Sequence, residues 1–484
     1  MRVCPTTGKG MWLKDSCIPL FMVRMAGISF FNRIFAKILD CMQRLTSLLM
    51  LAFVLWTLSV SLVTAQTPDS LGRIRYKYDF IVPDNGNFIS AIHAANNRPD
   101  KSKRYRIFIK SSMYRIKGEG NPIKITENGK ELTIPSPMTV LTAPNTSICG
   151  EGMKNTQIES MPMHEGISCT STLFLKGADS TYIQDLELWS NYRDDMNAFA
   201  SRAVALNEKN CRGNIFKNLS LMSNQDTYYT NDGGTTYLEG CTIKGTVDFI
   251  CGGGTIYFNR CDIELRERGG KGDVICAPAT EANRAYGYVF NSCRIYGDKQ
   301  QEGKYMLGRP WKNAPRAVFL GTLMELLPDS LGWTEMHGTL PRLFSEYESL
   351  DKEFQLAPTR GRRMQFKDAN NVTTNMRYNA NLTTAEADKY DINDVFPGWH
   401  PERKSAQVNP PVVHIKGRGS IYWDDVPEAC LYAVCKNRDV VAFTTQPFYN
   451  VPKGTAEGAC YSVRCANFYG GLGERSNEVT YPNR

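Results

Sequence analysis

The sequence predicts an all-β chain in which a parallel β-solenoid is followed by a small β-sandwich, and three observations lead there. A six-residue unit, apolar-x-x-[Cys/Leu/Thr]-x-[Ile/Leu/Met], recurs through the middle of the chain. Two aspartates, Asp226 and Asp248, each stand five residues after the closing apolar residue of such a unit, Leu221 and Ile243. Around Gln407-Val-Asn-Pro-Pro411 the composition breaks, and short strand-like runs separated by turns take over.

The unit occurs at Ile183–Leu188, Phe216–Leu221, Leu238–Ile243, Phe258–Ile263, Phe290–Ile295 and, more loosely, Phe319–Met324. Successive starts lie 33, 22, 20, 32 and 29 residues apart. A core period near 20 with insertions suits a solenoid, each coil adding a rung while loops leave one edge. An antiparallel sandwich would want a turn every 8–12 residues or so, which this spacing does not supply. The last two marked positions alternate, as inward residues on a strand do. Cys241, Cys261 and Cys293 then form an inward ladder and are read as core filling.

The elements follow in chain order. Residues 1–65 read as a leader ending in a secretory signal: Met42-Gln-Arg44, the apolar run Leu48–Leu62, then Val63-Thr-Ala65. Fifteen apolar residues are short for a membrane span. The mature chain is therefore expected to be secreted, extracellular or periplasmic, with no stable membrane insertion. The formal charge of +8 shrinks to about +3 once the leader is set aside, which is no nucleic-acid-binding pattern. The solenoid is expected over 76–402, with Phe88–Asn96 as a helix capping the first coil and 345–402 as a less regular tail. Residues 409–484 are expected to form the β-sandwich, with strands at Ile421–Trp423, Cys430–Lys436, Val440–Thr444 and Cys460–Ala466. Cys430, Cys435, Cys460 and Cys465 make two Cys-x4-Cys pairs. In strands that offset puts the members of a pair on opposite faces, favouring bridges between the pairs over bridges within them. Buried free thiols are the alternative.

If the repeats are successive rungs, the carboxylates of Asp226 and Asp248 lie roughly 5 Å apart. Two carboxylates that close resist ionising together, so one keeps its proton beside a charged neighbour. That is an acid beside a nucleophile. No serine-hydrolase signature is present, and the five histidines (His93, His164, His337, His400, His414) are scattered. Arg268 sits five residues after Ile263, in the register of the aspartates, and is read as solvated.

Gly150-Glu-Gly152 with Thr156, Ala203-Val-Ala-Leu206, Gln225-Asp-Thr227, Gly245-Thr-Val-Asp-Phe-Ile250, Leu307-Gly-Arg-Pro-Trp311, Gly332-Trp333 and Glu346-Tyr347 follow one another in the chain. In this ordered set, over roughly 78–402, the chain resembles the pectin methylesterases, carbohydrate esterases on a right-handed parallel β-helix. The C-terminal region more faintly resembles a fibronectin type III domain, through its Trp and Tyr placement.

The resemblance implies a nucleophile at Asp248, attacking the carbonyl of a methyl-esterified galacturonate, with Arg309 holding that carboxylate ionised. It makes Asp226 the protonated partner that gives its proton to methanol and then activates water. Gln225 would offer an amide donor to the oxyanion, and Trp311 an aromatic face to the sugar. Arg202, Phe249 and Tyr229 complete the expected substrate contacts. The implied partner is pectin, acted on by a monomer, and no cofactor is implied. The chain departs from the family at Arg202, where a Gln is usual, and at Cys251, where an aromatic is usual. The early Gly-x-Tyr-x-Glu motif survives only as Met113-Tyr-Arg-Ile116. Rival readings are a pectate lyase, which would need a calcium-binding carboxylate cluster, and a polygalacturonase, faintly suggested by Asn231-Asp-Gly233. A non-catalytic carbohydrate-binding solenoid is a third.

Overall fold

The computed structural model describes residues 74–482 apart from 119–121, 128, 193–200, 231–232 and 418. The leader and signal expected at 1–65, and Asn231-Asp232, lie outside the described residues. Among the described residues no helix is long and apolar enough to cross a membrane.

The repeated units stack in parallel, rung on rung. Ile183 pairs with Phe216, and the line continues through Leu238, Phe258, Phe290 and Phe319. Leu188, Leu221, Ile243, Ile263, Ile295 and Met324 pair in the same way. Both lines point into one core, where Phe258, Phe290 and Phe319 stack with ring centroids 4.4 and 4.2 Å apart. Cys241, Cys261 and Cys293 are buried in that core beside them. Like side chains on adjacent parallel strands lie one strand spacing apart, close to the packing distance of stacked rings.

The unit is bent in its middle. Its third residue is Asp185, Asn218, Gly240, Arg260, Ser292 or Gly321, and every one has a φ between 47° and 60°. One left-handed residue turns the chain between two short strands, as Gly240 does between Thr235–Glu239 and Thr242–Gly245.

A second parallel sheet forms another wall of the helix. Its seven strands are Thr139–Leu141, Leu173–Lys176, Leu206–Lys209, Tyr228–Thr230, Val247–Gly252, Val274–Pro278 and Met306–Gly308, neighbours in that order. Leu173, Leu206, Tyr228, Ile250 and Cys276 point from it into the core. The helix Phe88–Asn97 lies over the first coil, burying Phe88, Ala91, Ile92 and Ala95, with Asn87 capping its N-terminus by accepting from the Ser90 amide.

The solenoid runs further than the repeat suggested. Leu343–Tyr347 pairs in parallel with Arg316–Leu320, and Leu350–Asp351 with Leu323–Met324. Glu346 occupies the place of Phe319, which hid this rung from a hydropathy pattern. Its carboxylate is buried against Arg362, 2.5 Å away, so each charge is neutralised where it is desolvated. The segment beyond, with helices Ile392–Val395 and Pro401–Lys404, lies on the outer face, where Phe396 packs against Tyr257 and Trp399.

The C-terminal strands form two antiparallel sheets. One contains Val413–Lys416, Ser420–Trp423 and Phe448–Asn450; the other contains Leu431–Lys436, Asp439–Thr444, Cys460–Ala466, Leu472–Arg475 and Val479–Thr480. Trp423, Tyr432, Val434, Tyr461 and Val463 share a core of their own. The opposite face of the larger sheet packs on the helix: Leu431, Ala433 and Cys435 join Tyr78, Phe108 and Tyr182. Arg106 donates to the Phe468 carbonyl at 2.8 and 3.0 Å, and Arg464 meets Asp185 at 3.3 Å. The described residues, solenoid and C-terminal strands alike, therefore belong to one compact unit.

Of the two readings of Cys430, Cys435, Cys460 and Cys465, the free-thiol one holds: no bridge joins them. Cys435 faces the helix and Cys465 the inner core of the module, on opposite sides of one sheet. Across the strands, Cys435 meets Ser462 and Cys465 meets Tyr432.

Candidate functional site

Asp248 stands on the strand Val247–Gly252 of the seven-stranded sheet, and Asp226 lies two residues before the neighbouring strand Tyr228–Thr230. Tyr228 pairs with Ile250, which puts Asp226 and Asp248 side by side two residues earlier. The Asp226 amide donates to the Val247 carbonyl at 3.2 Å, and the Thr246 amide to Asn224 at 3.0 Å. Their separation is thus one strand spacing, about 4.8 Å, fixed by backbone pairing. Both have left-handed backbones, with φ of 63° and 49°, a conformation that branched and bulky residues avoid. Gly245 permits the tight turn before Asp248, since a Cβ there would lie 2.2 Å from that of Phe249. Gly252 ends the strand with φ of 118°, lying so close to the Thr230 carbonyl that no side chain fits.

Each carboxyl is nearly buried, 5% exposed for Asp226 and 4% for Asp248. Arg309 separates their chemistry. Its Nε donates to Asp248 Oδ1 at 2.7 Å and its Nη2 to Oδ2 at 2.5 Å, a two-pronged clasp. The arginine reaches from beyond the strand Met306–Gly308, two strands away, and its own amide is anchored on the Cys276 carbonyl at 2.9 Å. Burial works most strongly against the guanidinium's charge, but the bond to Asp248 and the charges of Asp248 and Asp226 together outweigh it, so the group stays cationic. Burial likewise pushes Asp248 upward, opposed by the bond and charge of Arg309 and then by Arg268 and His337. Asp226 has no such clasp. Burial first, and the charge of Asp248 second, push it up to about 7, against smaller opposing pulls from the Cys251 thiol, Arg202 and Arg309. The pair therefore offers one arginine-bound carboxylate and one carboxyl that keeps its proton near neutrality.

Gln225 is half-buried next to Asp226, its side chain bonded to no protein group among the described residues. Its main chain bridges to Arg202, whose Nε is held by Glu165 at 2.7 Å. Tyr229 and Trp311 meet edge to face at 6.0 Å, and Lys312 lies 4.4 Å above the indole. Arg202, Tyr229, Trp311, Lys312, Phe174 and Asn207 border a groove of about 1090 Å³; neither aspartate lines it, and its link to the pair is Arg202, whose charge acts on Asp226. A charged, aromatic trough of this kind suits a sugar polymer bearing acid groups. Among the described residues no group of three or more His, Cys, Asp or Glu could hold a metal ion.

Phe249 is the one expected contact that does not reach the groove. The left-handed residue before it resets the in–out alternation, and its ring is fully buried in the helix core. Arg268 is not merely solvated: it is half-buried, and its charge acts on Asp248. Its register with the aspartates was the available signal. His337 also acts on Asp248, but lies far along the chain with no local motif to mark it. Cys251, noted only as a departure, places its Sγ 3.4 Å from Asp226 Oδ1.

A family model described as Pectinesterase matches residues 83–379. In sequence, the chain is 29% identical over 294 residues to a pectinesterase/pectinesterase inhibitor of Solanum lycopersicum, a match covering 57% of this chain and 45% of that one. The chain thus spans less than half the length of that relative. In structure, a pectin methylesterase solved in complex with a hexasaccharide aligns with a TM-score of 0.51 at 23% identity, covering 67% of this chain and 99% of the other. Carrot pectin methylesterase aligns with a TM-score of 0.51 at 21% identity, covering 66% and 94%. At such identities the structural likeness speaks for the fold.

Proposed function

The chain belongs to the pectinesterase family, and from that premise we propose that it removes methyl esters from galacturonate units of pectin, with Asp248 as nucleophile and Asp226 as acid and base. The observation that carries this reading is the asymmetry of the carboxyl pair: two aspartates held side by side by adjacent chain segments, with Arg309 clasping only Asp248.

The Asp248 carboxylate attacks the ester carbonyl, forming a carbon–oxygen bond and an oxyanion to which the Gln225 side-chain amide donates. As the intermediate collapses, the bond to the methoxy oxygen breaks and Asp226 transfers its proton to that oxygen, releasing methanol. Asp226, now a carboxylate, takes a proton from water while the remaining hydroxide adds to the acyl group. The acyl–Asp248 bond breaks, a free galacturonate acid is left, and both aspartates return to their starting states. Tyr229, Trp311 and Arg202 line the path of the polymer. The same reading has the enzyme exported through the signal at 42–65 and acting as a monomer, with the C-terminal strands as a fibronectin type III-like module docked on the helix.

Methyl-esterified galacturonan incubated with the full chain should release methanol with no new reducing ends and no unsaturated products. Reducing ends without methanol would overturn the reading in favour of a polymer-cleaving enzyme. The pH dependence has a definite sign. Asp226 acts as an acid only while protonated, so methanol release should decline as pH rises through about 7, the value to which burial and Asp248 raise it. It should also decline at acid pH, as Asp248 takes up a proton. A rate that climbs steadily from pH 6 to 9 would exclude Asp226 as the donor.

A further inference from the structure

The outward residues of the seven-stranded sheet form a continuous row, in which Phe174 pairs with Asn207, then Tyr229, Cys251 and Ala277. The alternate residues, Leu173, Leu206, Tyr228, Ile250 and Cys276, fill the core. Cys251 therefore lies in the outward row of the sheet, one strand over from the groove residue Tyr229. It is only 2% exposed, and its Sγ lies 3.4 Å from Oδ1 of Asp226.

We propose that Cys251 is a positioning residue for the acid step: its S–H donates to Oδ1 of Asp226, so that the transferable proton resides on Oδ2 and faces the departing methoxy oxygen. This rests on the ester-hydrolysis reading above. The reasoning begins with the two oxygens of a neutral carboxyl. The carbonyl oxygen accepts hydrogen bonds well and the hydroxyl oxygen poorly, so a fixed donor on one side selects which oxygen carries the proton. Burial, followed by the charges of Asp226 and Asp248, drives the Cys251 thiol well above its ordinary range, so it remains a donor throughout the cycle. When Asp226 gives up its proton, the acceptor becomes an anion and the bond strengthens, which favours the transfer itself. A thiol is a weak donor, and weakness matters here. Asp226 must also take a proton back from water, and a strong donor at this position would hold it ionised. The other charged groups acting on Asp226 are Asp248 from the neighbouring strand, Arg202 and Arg309; none of these supplies a neutral donor.

The test compares Cys251→Ala and Cys251→Ser with the wild-type chain, by two readouts. The first is the pH profile of kcat for methanol release. Losing the donor in Cys251→Ala should lower kcat about tenfold. It should also move the alkaline limb upward, because the charged form of Asp226 has lost a stabilising bond. Serine restores a donor, so Cys251→Ser should recover most of kcat, and its stronger hydroxyl should move the limb downward; KM should stay near wild type in both. The second readout is the infrared carboxyl band of protonated Asp226, identified by its loss in Asp226→Asn and titrated without substrate. Its midpoint should rise in the alanine variant and fall in the serine variant. An unmoved midpoint, or a serine variant as impaired as alanine with the limb unshifted, overturns the proposal and reduces Cys251 to packing. Shifted midpoints in a wild type that releases no methanol would sink the esterase reading while supporting the thiol–carboxyl bond.

Discussion

Replacing Asp248 with asparagine should cut methanol release by about 10⁴-fold or more, the scale on which removal of a covalent nucleophile acts. Asparagine keeps the size of the side chain and one acceptor for Arg309. It loses the anionic oxygen that would form the acyl bond, and no other group of the site can replace it. Asp226 is the nearest carboxyl, but burial, the larger cause of its raised pKa, remains in the variant, and no arginine clasps it as an attacking anion. The variant should retain its far-ultraviolet circular dichroism and its affinity for galacturonan, since the clasp is one of many bonds to the helix wall. Retention of more than a tenth of the wild-type rate would show that Asp248 is not the nucleophile.

The second large effect belongs to Arg309. Arg309→Met removes both charge-assisted bonds to the nearly buried carboxylate of Asp248. Burial would then raise Asp248 unopposed by its main counter-charge. The expected result is a fall in kcat/KM of about 10²–10³-fold at pH 6, the size of effect seen when a preorganised charge partner is removed. The acid limb of the profile should move upward, because the nucleophile now holds its proton to higher pH. Arg309→Lys should recover only part of the loss. A lysine brings a point charge but not two parallel N–H donors, and it would have to span two strands from its anchor on the Cys276 carbonyl. An acid limb that stays in place in Arg309→Met would mean that the arginine does not control the charge of Asp248.

Much of this arrangement is legible in the sequence because the helix repeats its inward residues. Ile183, Phe216, Leu238, Phe258, Phe290 and Phe319 occupy one line of the core, and their spacing alone places Asp226 beside Asp248. The bend inside each unit is less legible. Asp185, Arg260 and Ser292 share a left-handed backbone with Gly240, but have no chemistry in common that a pattern could detect. The rung at Leu343–Tyr347 escaped because Glu346 fills an apolar place and is neutralised by Arg362, 16 residues on. Phe249 was misplaced for a local reason, the change of face that follows Asp248. The cysteines of the C-terminal module carry no sequence mark of which face of the sheet each one occupies, and that is what keeps Cys435 from Cys465.

The ladder that joins Asp226 to Asp248 has a consequence for how such a molecule can diversify. Coils of 20 to 33 residues all keep their rungs aligned, so the interval between the two carboxyls does not depend on how much chain is looped out between them. Peptide can be added or removed at the coil edges, rebuilding the rim for a differently decorated polymer, while the reacting atoms stay where the strands hold them. Substrate range and chemistry are in that sense written on separate parts of the same coil, and a library of grafted rims on an untouched carboxyl pair is the natural route to esterases for other uronic-acid polymers.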